Sequence, residues 1–523
     1  MRSNEPSWMR PSLKILIDDR DKAFFKRQWP KYYRLRKEVN AHILHLKKKF
    51  IDASVSSKNC KKVWKTLRCL GRCPKHTSSP NTFTAEDFNS FFASNLQSDV
   101  PSLTSQVYVT DTFSDPLSVS EVFVFLKKVR NKSSGPDGLP PWVIRDCALV
   151  LCPAVTHLFN RSLQESSVPL CFKCANVIPI PKCSRPHDVS DYRPISLLPV
   201  LSKILEKIVA TKFILPVISK RLSKTQFAYV SRPGSGPTSA LVYMYHNIVQ
   251  FLDSSSGAVR LLSVDFSKAF DKLLHSHIIS SCTDFQLPLF VVNWISNFLS
   301  FRRQRVFLDG RVSAWSAVSS GVPQGSVLGP ILFCMTTDSL SHVCKNSVII
   351  RYADDVSILH FVRSASEDHL QTEFKNIVTW PENVNLMPSN FLKCRVIDFV
   401  TKKNFYLPHV YLRDGTLLNS VSSMTFLGVT FTSDMKWSSH VNKTVTRASQ
   451  RLFILRNLRR SGCSLSLMLK CYYSFIRSLL LYGFPSFCNI PDCLLVKLKR
   501  VEKRALRIMG CDPHFLCTLV SLM

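Results

Sequence analysis

Between Val348 and His360 the chain reads Val-Ile-Ile-Arg-Tyr-Ala-Asp-Asp-Val-Ser-Ile-Leu-His, two apolar, β-prone runs on either side of adjacent carboxylates. That arrangement leaves few options. Such runs, broken by a short polar pair, predict a β-hairpin with Asp354 and Asp355 at its tip. Burying two like charges side by side is costly, because each disfavours ionisation of the other. A bound divalent metal removes that cost, and carboxylate oxygens suit Mg²⁺. For so short a motif a solvated Asp-Asp turn is the plain alternative, so the rest of the chain has to decide.

A second carboxylate stands in a comparable place. Leu261-Leu-Ser-Val-Asp265 has the pattern of a buried strand running into Asp265, and Lys268-Ala-Phe-Asp-Lys-Leu-Leu274 then reads as helical. An acid that ends a core strand faces a cleft, where Asp265 can join Asp354 in holding metals. Asp271 reads instead as a helix-surface or structural acid. Further upstream, Ala175-Asn-Val-Ile-Pro-Ile-Pro-Lys182 is a short extended segment, and Asp191-Tyr-Arg-Pro-Ile-Ser-Leu-Leu-Pro199 puts Arg193 at the mouth of another. Lys and Arg brought together on short strands suit a triphosphate, although each alone could be a surface charge. Lys203 to Leu215 has a helical period that Pro216 is expected to stop. Gly321-Val-Pro-Gln-Gly-Ser-Val-Leu-Gly-Pro330 is a Gly-rich turn feeding an apolar helix, where backbone can approach a flat ligand closely and Gln324 can offer its amide. Phe426 to Phe431 reads as a short strand.

Charge narrows the partner. The chain holds 69 Lys+Arg against 36 Asp+Glu, a formal net charge of +33. Such an excess repels itself in a compact state unless a polyanion is bound, which points to nucleic acid. The basic residues are spread over several segments rather than set beside one apolar helix, which disfavours a membrane surface. No apolar run reaches the roughly 18 residues of a membrane span. Residues 20 to 76 carry 18 Lys+Arg and three acids, and Tyr32, Leu35, Val39, Ile43, Leu46 and Phe50 make one apolar stripe on a basic helix. From Asn442 the chain is again helical and basic, with 13 Lys+Arg against two acids between Arg447 and Arg507. Thr77 to Thr82 and Ser98 to Ser118 read as linkers. The 18 cysteines have no dense spacing and follow no secretory signal, which suits reduced thiols. Cys171-Phe-Lys-Cys174 and Cys69, Cys73 and His76 have part of a zinc spacing but no clear second ligand pair.

Taken in order, Ser-Ser-Gly-Pro-Asp-Gly, Val-Ile-Pro-Ile-Pro-Lys, Asp-Tyr-Arg-Pro-Ile-Ser-Leu-Leu, Gln-Phe-Ala-Tyr, Asp-Phe-Ser-Lys-Ala-Phe-Asp, Gly-Val-Pro-Gln-Gly-Ser-Val-Leu-Gly-Pro, Tyr-Ala-Asp-Asp and Phe-Leu-Gly-Val resemble the reverse transcriptases of non-LTR, LINE-type retrotransposons, of the jockey-like kind. Tyr-Ala-Asp-Asp alone is weak; the ordered set, from about Ser133 to Phe431, is specific. The resemblance implies an α+β right-hand polymerase: fingers, a palm with an antiparallel sheet and a helical thumb, preceded by a basic helical N-terminal extension. The expected division is 1–118 for the extension and linker, 119–432 for fingers and palm, and 433–523 for the thumb-like region.

The same resemblance implies an RNA-directed DNA polymerase that copies element RNA from a primer 3′-hydroxyl. Asp265, Asp354 and Asp355 would hold two Mg²⁺ ions, with Mn²⁺ as a substitute. Lys182 and Arg193 would grip the incoming dNTP, with Gln324 near its sugar and base and Tyr352 in the same nucleotide-binding set. Phe270 matches an aromatic that excludes a ribose 2′-hydroxyl, and Lys393 a lysine that protonates leaving pyrophosphate. Template RNA, a DNA primer or target and dNTPs are the implied partners, in a ribonucleoprotein of nucleus and cytoplasm that is not secreted. No endonuclease stretch is seen, so target cleavage is expected elsewhere in a longer element protein or in trans. Several departures are visible: Asn390-Phe-Leu-Lys393 replaces Asn-Pro-Lys-Lys, Pro381 and Pro388 are expected to interrupt the preceding helix, and Val230-Ser231 looks inserted. They leave a degenerate, inactive nucleic-acid-binding copy of the fold as the alternative.

Overall fold

The computed structural model describes residues 8–56, 83–94, 113, 115–183, 185–230, 232–266, 270–383, 393–401 and 405–511. The partial zinc spacing at Cys69, Cys73 and His76, and with it Pro388 and Ser231, lies outside them. By its internal contacts the chain forms two units, residues 79–424 and residues 1–78 with 425–523. The helix Ala85–Ser94 is part of the first of these units. Its Phe88 and Phe92 are buried against Val177, Tyr192 and Val306, and Asn89 Nδ2 donates to Ala314 O at 3.1 Å and Ser316 Oγ at 2.8 Å.

The 79–424 unit holds two sheets. In the first, β1 (Cys174–Pro181) pairs antiparallel with β2 (Tyr192–Leu197), which sets Ile180 opposite Arg193. The other neighbour of β1 is β4 (Arg302–Leu308), in parallel. Short antiparallel partners β5 (Arg311–Val312) and β6 (Ser316–Val318) complete that sheet on β4.

The second sheet positions the acids. Its centre is β3 (Ala258–Asp265), flanked antiparallel by β8 (Asp355–Val362) and β9 (Arg395–Val400), with β7 (Ser347–Tyr352) beyond β8 and β10 (Asn419–Ser420) beyond β9. Apolar residues dominate β3 because it is covered on both faces; Val259, Leu261, Leu262 and Val264 are all buried. The helix Pro237–Ser254 lays Leu241, Met244 and Ile248 into the core beside it. Arg260, almost fully buried in β3, is neutralised by Asp368 at 2.6 Å and Asp398 at 2.9 Å. A lone buried charge would be strongly destabilising; paired and hydrogen-bonded, it is tolerated.

Two helix expectations and one strand expectation need correction here. The helix Val200–Val209 does not stop at Pro216; it passes through a π-type turn, Ala210–Ile214, into the helix Leu215–Arg221. Proline is tolerated there because the i−4 carbonyl that its missing N–H would have used lies in the π-type turn, where regular helical bonding is already broken. Pro381 likewise does not interrupt the helix Leu370–Asn383, of which it is part of the last turn. Phe426 to Phe431 is not one strand but a hairpin, β11 (Ser423–Phe426) and β12 (Val429–Thr432), turned by Leu427 at φ 44° and Gly428 at φ 83°.

In the other unit, α1 (Pro11–Phe25) and α2 (Trp29–Ser56) form a helical hairpin. The apolar stripe expected on α2 is present, with Leu35, Val39 and Ile51 buried and Tyr32, Ile43, Leu46 and Phe50 partly so. The helices Ser438–Arg460 and Asp492–Met509 bury Leu452, Leu455, Leu498 and Val501. Tyr472, fully buried, donates to Glu502 Oε1 at 2.8 Å. No described helix is long and apolar enough to cross a membrane.

Candidate active site

Strand register brings the acids together. Asp265, the last residue of β3, is the cross-strand partner of Asp355, the first of β8. Tyr352 is the partner of Asp355 on its other side, which leaves only Ala353 and Asp354 to make the turn. Ala353 takes φ 56°, a left-handed conformation that costs a residue with a Cβ about 1–2 kcal/mol. The tight turn keeps Asp354 exposed at the tip, as the alternation of apolar runs and acids predicts.

A cleft of about 670 Å³ opens here, lined among others by Asp265, Asp354, Lys182, Arg193, Phe270, Gln324 and Lys393. Seven of the nine residues singled out in the sequence thus share one cavity. Tyr352 and Asp355 are not among its lining residues. Asp355 still feels the site: desolvation first, then the charges of Asp354 and Asp265, push its carboxyl up to about 6, against the pull of Arg193. Among the described residues no three His, Cys, Asp or Glu side chains close on a single metal position. One reason is visible: Asp265 Oδ2 lies 3.4 Å from Lys393 Nζ, in an exposed ion pair.

The raised carboxyl has a measurable consequence. A group whose folded-state pKa exceeds its unfolded value favours folding while protonated and opposes it once ionised. Asp355, ordinarily at 3.8 and here about 6, therefore destabilises the fold increasingly as pH rises across that window. In the absence of divalent ions, Asp355→Asn is expected to melt higher than wild type above pH about 6 and to match it near pH 4. Calorimetry across this range checks it; a difference independent of pH contradicts it.

Cations face the acids. The main-chain N–H of Lys182 donates to Asp191 O at 2.7 Å and its Nζ to Ser190 O at 2.8 Å, tying it across the β1–β2 turn. Its ammonium is pushed below its ordinary value, chiefly by burial and then by Lys393 and Arg193, with Asp271 and Asp191 opposing. Three cations gathered on one cleft favour an anion between them.

The cleft wall is a pair of loops pressed together. Residues 270–274 are not helical, contrary to the local pattern; the helix begins at His275. The carbonyls that would make its first turns are taken elsewhere: Val322 N donates to Phe270 O at 2.8 Å, Gly321 N to Leu273 O at 2.7 Å, and Ser320 Oγ to Asp271 O at 3.2 Å. Gly321 permits this, since at φ 73° a Cβ would sit 2.4 Å from Asp271 O; at Gly325 a Cβ would sit 2.5 Å from Ser196 O. Asp271 is consequently not a helix-surface acid. It lines the cleft and accepts from Gln324 Nε2 at 2.8 Å, so the Gln324 amide is turned to a protein partner.

Behind the loop lies Glu206, fully buried. Its Oε2 accepts from Val327 N at 2.7 Å and Leu328 N at 3.2 Å, where the helix Leu328–Thr337 begins. Desolvation raises its pKa, and these N–H groups and the Arg302 charge offset part of that. The guanidinium of Arg302 is equally buried, 4.6 Å above the Phe298 ring and bonded to Phe298 O. Phe270 has two neighbours at once: its ring packs on Phe333 at 4.6 Å, and it lines the cleft.

Several site residues carried no usable signal in the sequence. Phe91 and Phe92 line the cleft from a helix between Ser/Thr-rich stretches, and Arg302, Arg303 and Gln304 from β4. Only tertiary contact places them. Tyr229, at φ 56°, has its phenol pushed up by burial first and then by Cys334, Asp354 and Tyr352; it is the last residue of the Gln-Phe-Ala-Tyr motif, which could have flagged it.

Comparison with known proteins bears on this geometry. Residues 180–431 match the family model described as reverse transcriptase (RNA-dependent DNA polymerase). The chain is 27% identical over 441 residues to the RNA-directed DNA polymerase from mobile element jockey of Drosophila melanogaster, covering 79% of this chain and 46% of that protein. It is 25% identical over 415 residues to the probable RNA-directed DNA polymerase from transposon BS of the same species, covering 76% and 45%. The chain thus spans about half the length of these curated relatives. Among solved structures it is similar to apo telomerase from Candida tropicalis, with a TM-score of 0.37 and 13% identity over 64% of this chain and 63% of that one.

Proposed function

We propose that residues 180–431, which match the reverse transcriptase family model, form such a domain of the non-LTR retrotransposon kind, and that this chain copies RNA into DNA from a primer 3′-hydroxyl, with its chemistry at the β3–β8 strand ends. The observation that carries the reading is the register that pairs Asp265 with Asp355 beside Asp354, opposite Lys182, Arg193 and Lys393.

The donor set fits divalent ions. Three carboxylates offer hard oxygen ligands, and the repulsion that raises the Asp355 carboxyl is what a bound cation relieves. Asp265 and Asp354 would hold both ions with Asp355 in support, once Asp265 releases Lys393. Bound there, Mg²⁺ or Mn²⁺ would acidify the primer hydroxyl and neutralise charge on the leaving pyrophosphate.

The chain's own groups supply the rest. Lys182 and Arg193 bind the triphosphate, fixed for the task by the β1–β2 pairing. Lys393, freed from Asp265, keeps a proton on Nζ for the departing pyrophosphate. The Gln324–Asp271 hydrogen bond stiffens the loop against which sugar and base would rest, and Glu206 anchors its far end. Template RNA, a DNA primer and dNTPs are the substrates of this reading, and the working particle would be a ribonucleoprotein of nucleus and cytoplasm. Extension of oligo(dT) on poly(rA) with Mg²⁺ is the direct test; no product above a metal-free control overturns it.

Binding to an RNA–DNA duplex should be mainly electrostatic, given the net charge of +33. With six or more phosphates neutralised, affinity is expected to fall by roughly 10³-fold or more between about 50 and 200 mM salt. A flat dependence in a filter-binding titration contradicts this.

A further inference from the structure

The turn between α1 and α2 carries an aromatic cluster that the enzymatic reading leaves without a role. Phe24 packs edge-on to Phe25 at 5.9 Å and Trp29 at 5.7 Å and reaches Tyr32 at 5.3 Å, and Tyr32 reaches Tyr33 at 5.4 Å. These rings cover one another, yet Phe25 is 82% exposed, Tyr33 60%, and Phe24 and Trp29 46% each. The hydrophobic requirement of α2 is met elsewhere, by Leu35, Val39 and Ile51 inside the unit. Folding alone gives no reason to leave four large rings in water.

Charge indicates what covers them. Between Ala23 and Glu38 stand Lys26, Arg27, Lys31, Arg34, Arg36 and Lys37, all exposed, with no acid among them. The turn itself is unusual. Arg27 N donates to Phe24 O at 3.0 Å and Gln28 N to Ala23 O at 2.9 Å, the hydrogen bonds of a Schellman helix end, in which glycine is the usual left-handed residue. Here that position is Arg27 at φ 53°, a strained placement that keeps a cation at the tip where glycine would be easier. A surface-lying membrane helix needs its apolar residues along one whole face; here they are gathered at one end of a hairpin.

We propose that this tip, which belongs to a different unit from the cleft residues, is a docking surface for single-stranded RNA. Unpaired bases would stack on Phe25 and Tyr33, and phosphates would lie along Lys26, Arg27, Lys31 and Arg34. Stacking on aromatic side chains together with a basic track is how single strands are held without sequence preference. The phenol of Tyr33 and the amide of Gln28, exposed among the rings, supply partners for a ribose 2′-hydroxyl, the group that separates RNA from DNA.

The test uses the full chain with its cleft filled by an excess of unlabelled RNA–DNA duplex, and follows the anisotropy of fluorescein-labelled (rU)12. Phe25→Ala/Tyr33→Ala is expected to bind (rU)12 about tenfold to a hundredfold more weakly, with melting temperature, duplex affinity and primer extension unchanged. Phe25→Trp/Tyr33→Trp should restore most of the binding, since stacking carries it, with the preference for (rU)12 over (dT)12 reduced because the Tyr33 phenol is gone. Wild type should bind (dT)12 more weakly than (rU)12. Unchanged (rU)12 affinity in the alanine variant overturns the proposal, as does an equal loss for duplex and single strand, which marks general damage to the protein rather than loss of a single-strand site. Equal binding of (dT)12 overturns the assignment to RNA. Cosedimentation with phosphatidylserine-containing vesicles that the alanine variant loses, while (rU)12 binding stays intact, assigns the tip to a membrane instead. Failure of primer extension in wild type bears on the cleft alone and leaves these readings separate.

Discussion

Asp354→Asn is expected to reduce primer extension by more than about 10²–10³-fold, the range for removal of one electrostatic stabiliser of a transition state, while duplex binding stays close to wild type. The exposed tip of the β7–β8 hairpin is why both halves hold. Asn keeps the shape of Asp in the two-residue turn but cannot supply a full negative charge to a metal. The basic residues that would bind phosphates are untouched, and loss of one acid from a crowded pair does not harm the fold. Single-turnover extension with filter binding beside it checks the claim. Extension at a tenth of the wild-type rate, or parallel loss of binding, removes Asp354 from the chemistry.

The second large effect concerns sugar choice. Phe270→Val is expected to keep most dNTP incorporation and raise rNTP incorporation by on the order of 10–100-fold, the discrimination typical of a pocket contact. The ring lines the cleft five residues beyond Asp265, where it would lie under the incoming sugar and leave no room for a 2′-hydroxyl. It also packs on Phe333 at 4.6 Å, and an aromatic pair is worth about 0.5–1.5 kcal/mol beyond its buried area. Some loss of melting temperature is therefore expected in the same variant, and it does not decide the matter. The ratio of rates does. Steady-state incorporation of dCTP and rCTP, compared between the two proteins, distinguishes a gate from a purely structural ring; equal loss on both nucleotides assigns Phe270 to the core alone.

What the sequence reveals here follows the range of the forces involved. The β7–β8 hairpin is legible because its two strands are adjacent and its β-branched runs agree with their buried environment. The meeting of Lys182 and Arg193 in one cleft is legible for the same reason: β1 and β2 are near neighbours in the chain. The segment 270–274 is not. Its residues favour a helix locally, but Gly321, Val322 and Ser320 take its carbonyls from some fifty residues away, as the Ser320–Asp271 bond at a separation of 49 illustrates. Propensity is a weak prior where such contacts compete. Phe91, Phe92 and Arg302 are hidden for a related cause: nothing in their own neighbourhood shows that they face a common cleft. The π-type turn before Pro216 belongs to the same class, since the proline reads as a stop only if the preceding helix is assumed to keep regular spacing.

The central position of β3 bears on how such a chain comes to exist at all. Arg260 in β3 is held by Asp398 in β9, 138 residues later, and the strand's other neighbour, β8, is also far downstream. During synthesis β3 therefore leaves the ribosome with both edges bare and an unneutralised arginine in its middle, and it stays so until much of the remaining domain has been made. Closing contacts of such long span is slow, because the entropy of the intervening chain is lost before the pairing rewards it. A long, apolar, unpaired strand is also a template for intermolecular pairing. A chain cut anywhere between β3 and β9 would retain Asp265 but present an open sheet, and would be cleared or aggregate rather than persist as a half-formed enzyme. The register that assembles the acids thus requires chain from Ala258 to Val400 to be present at once.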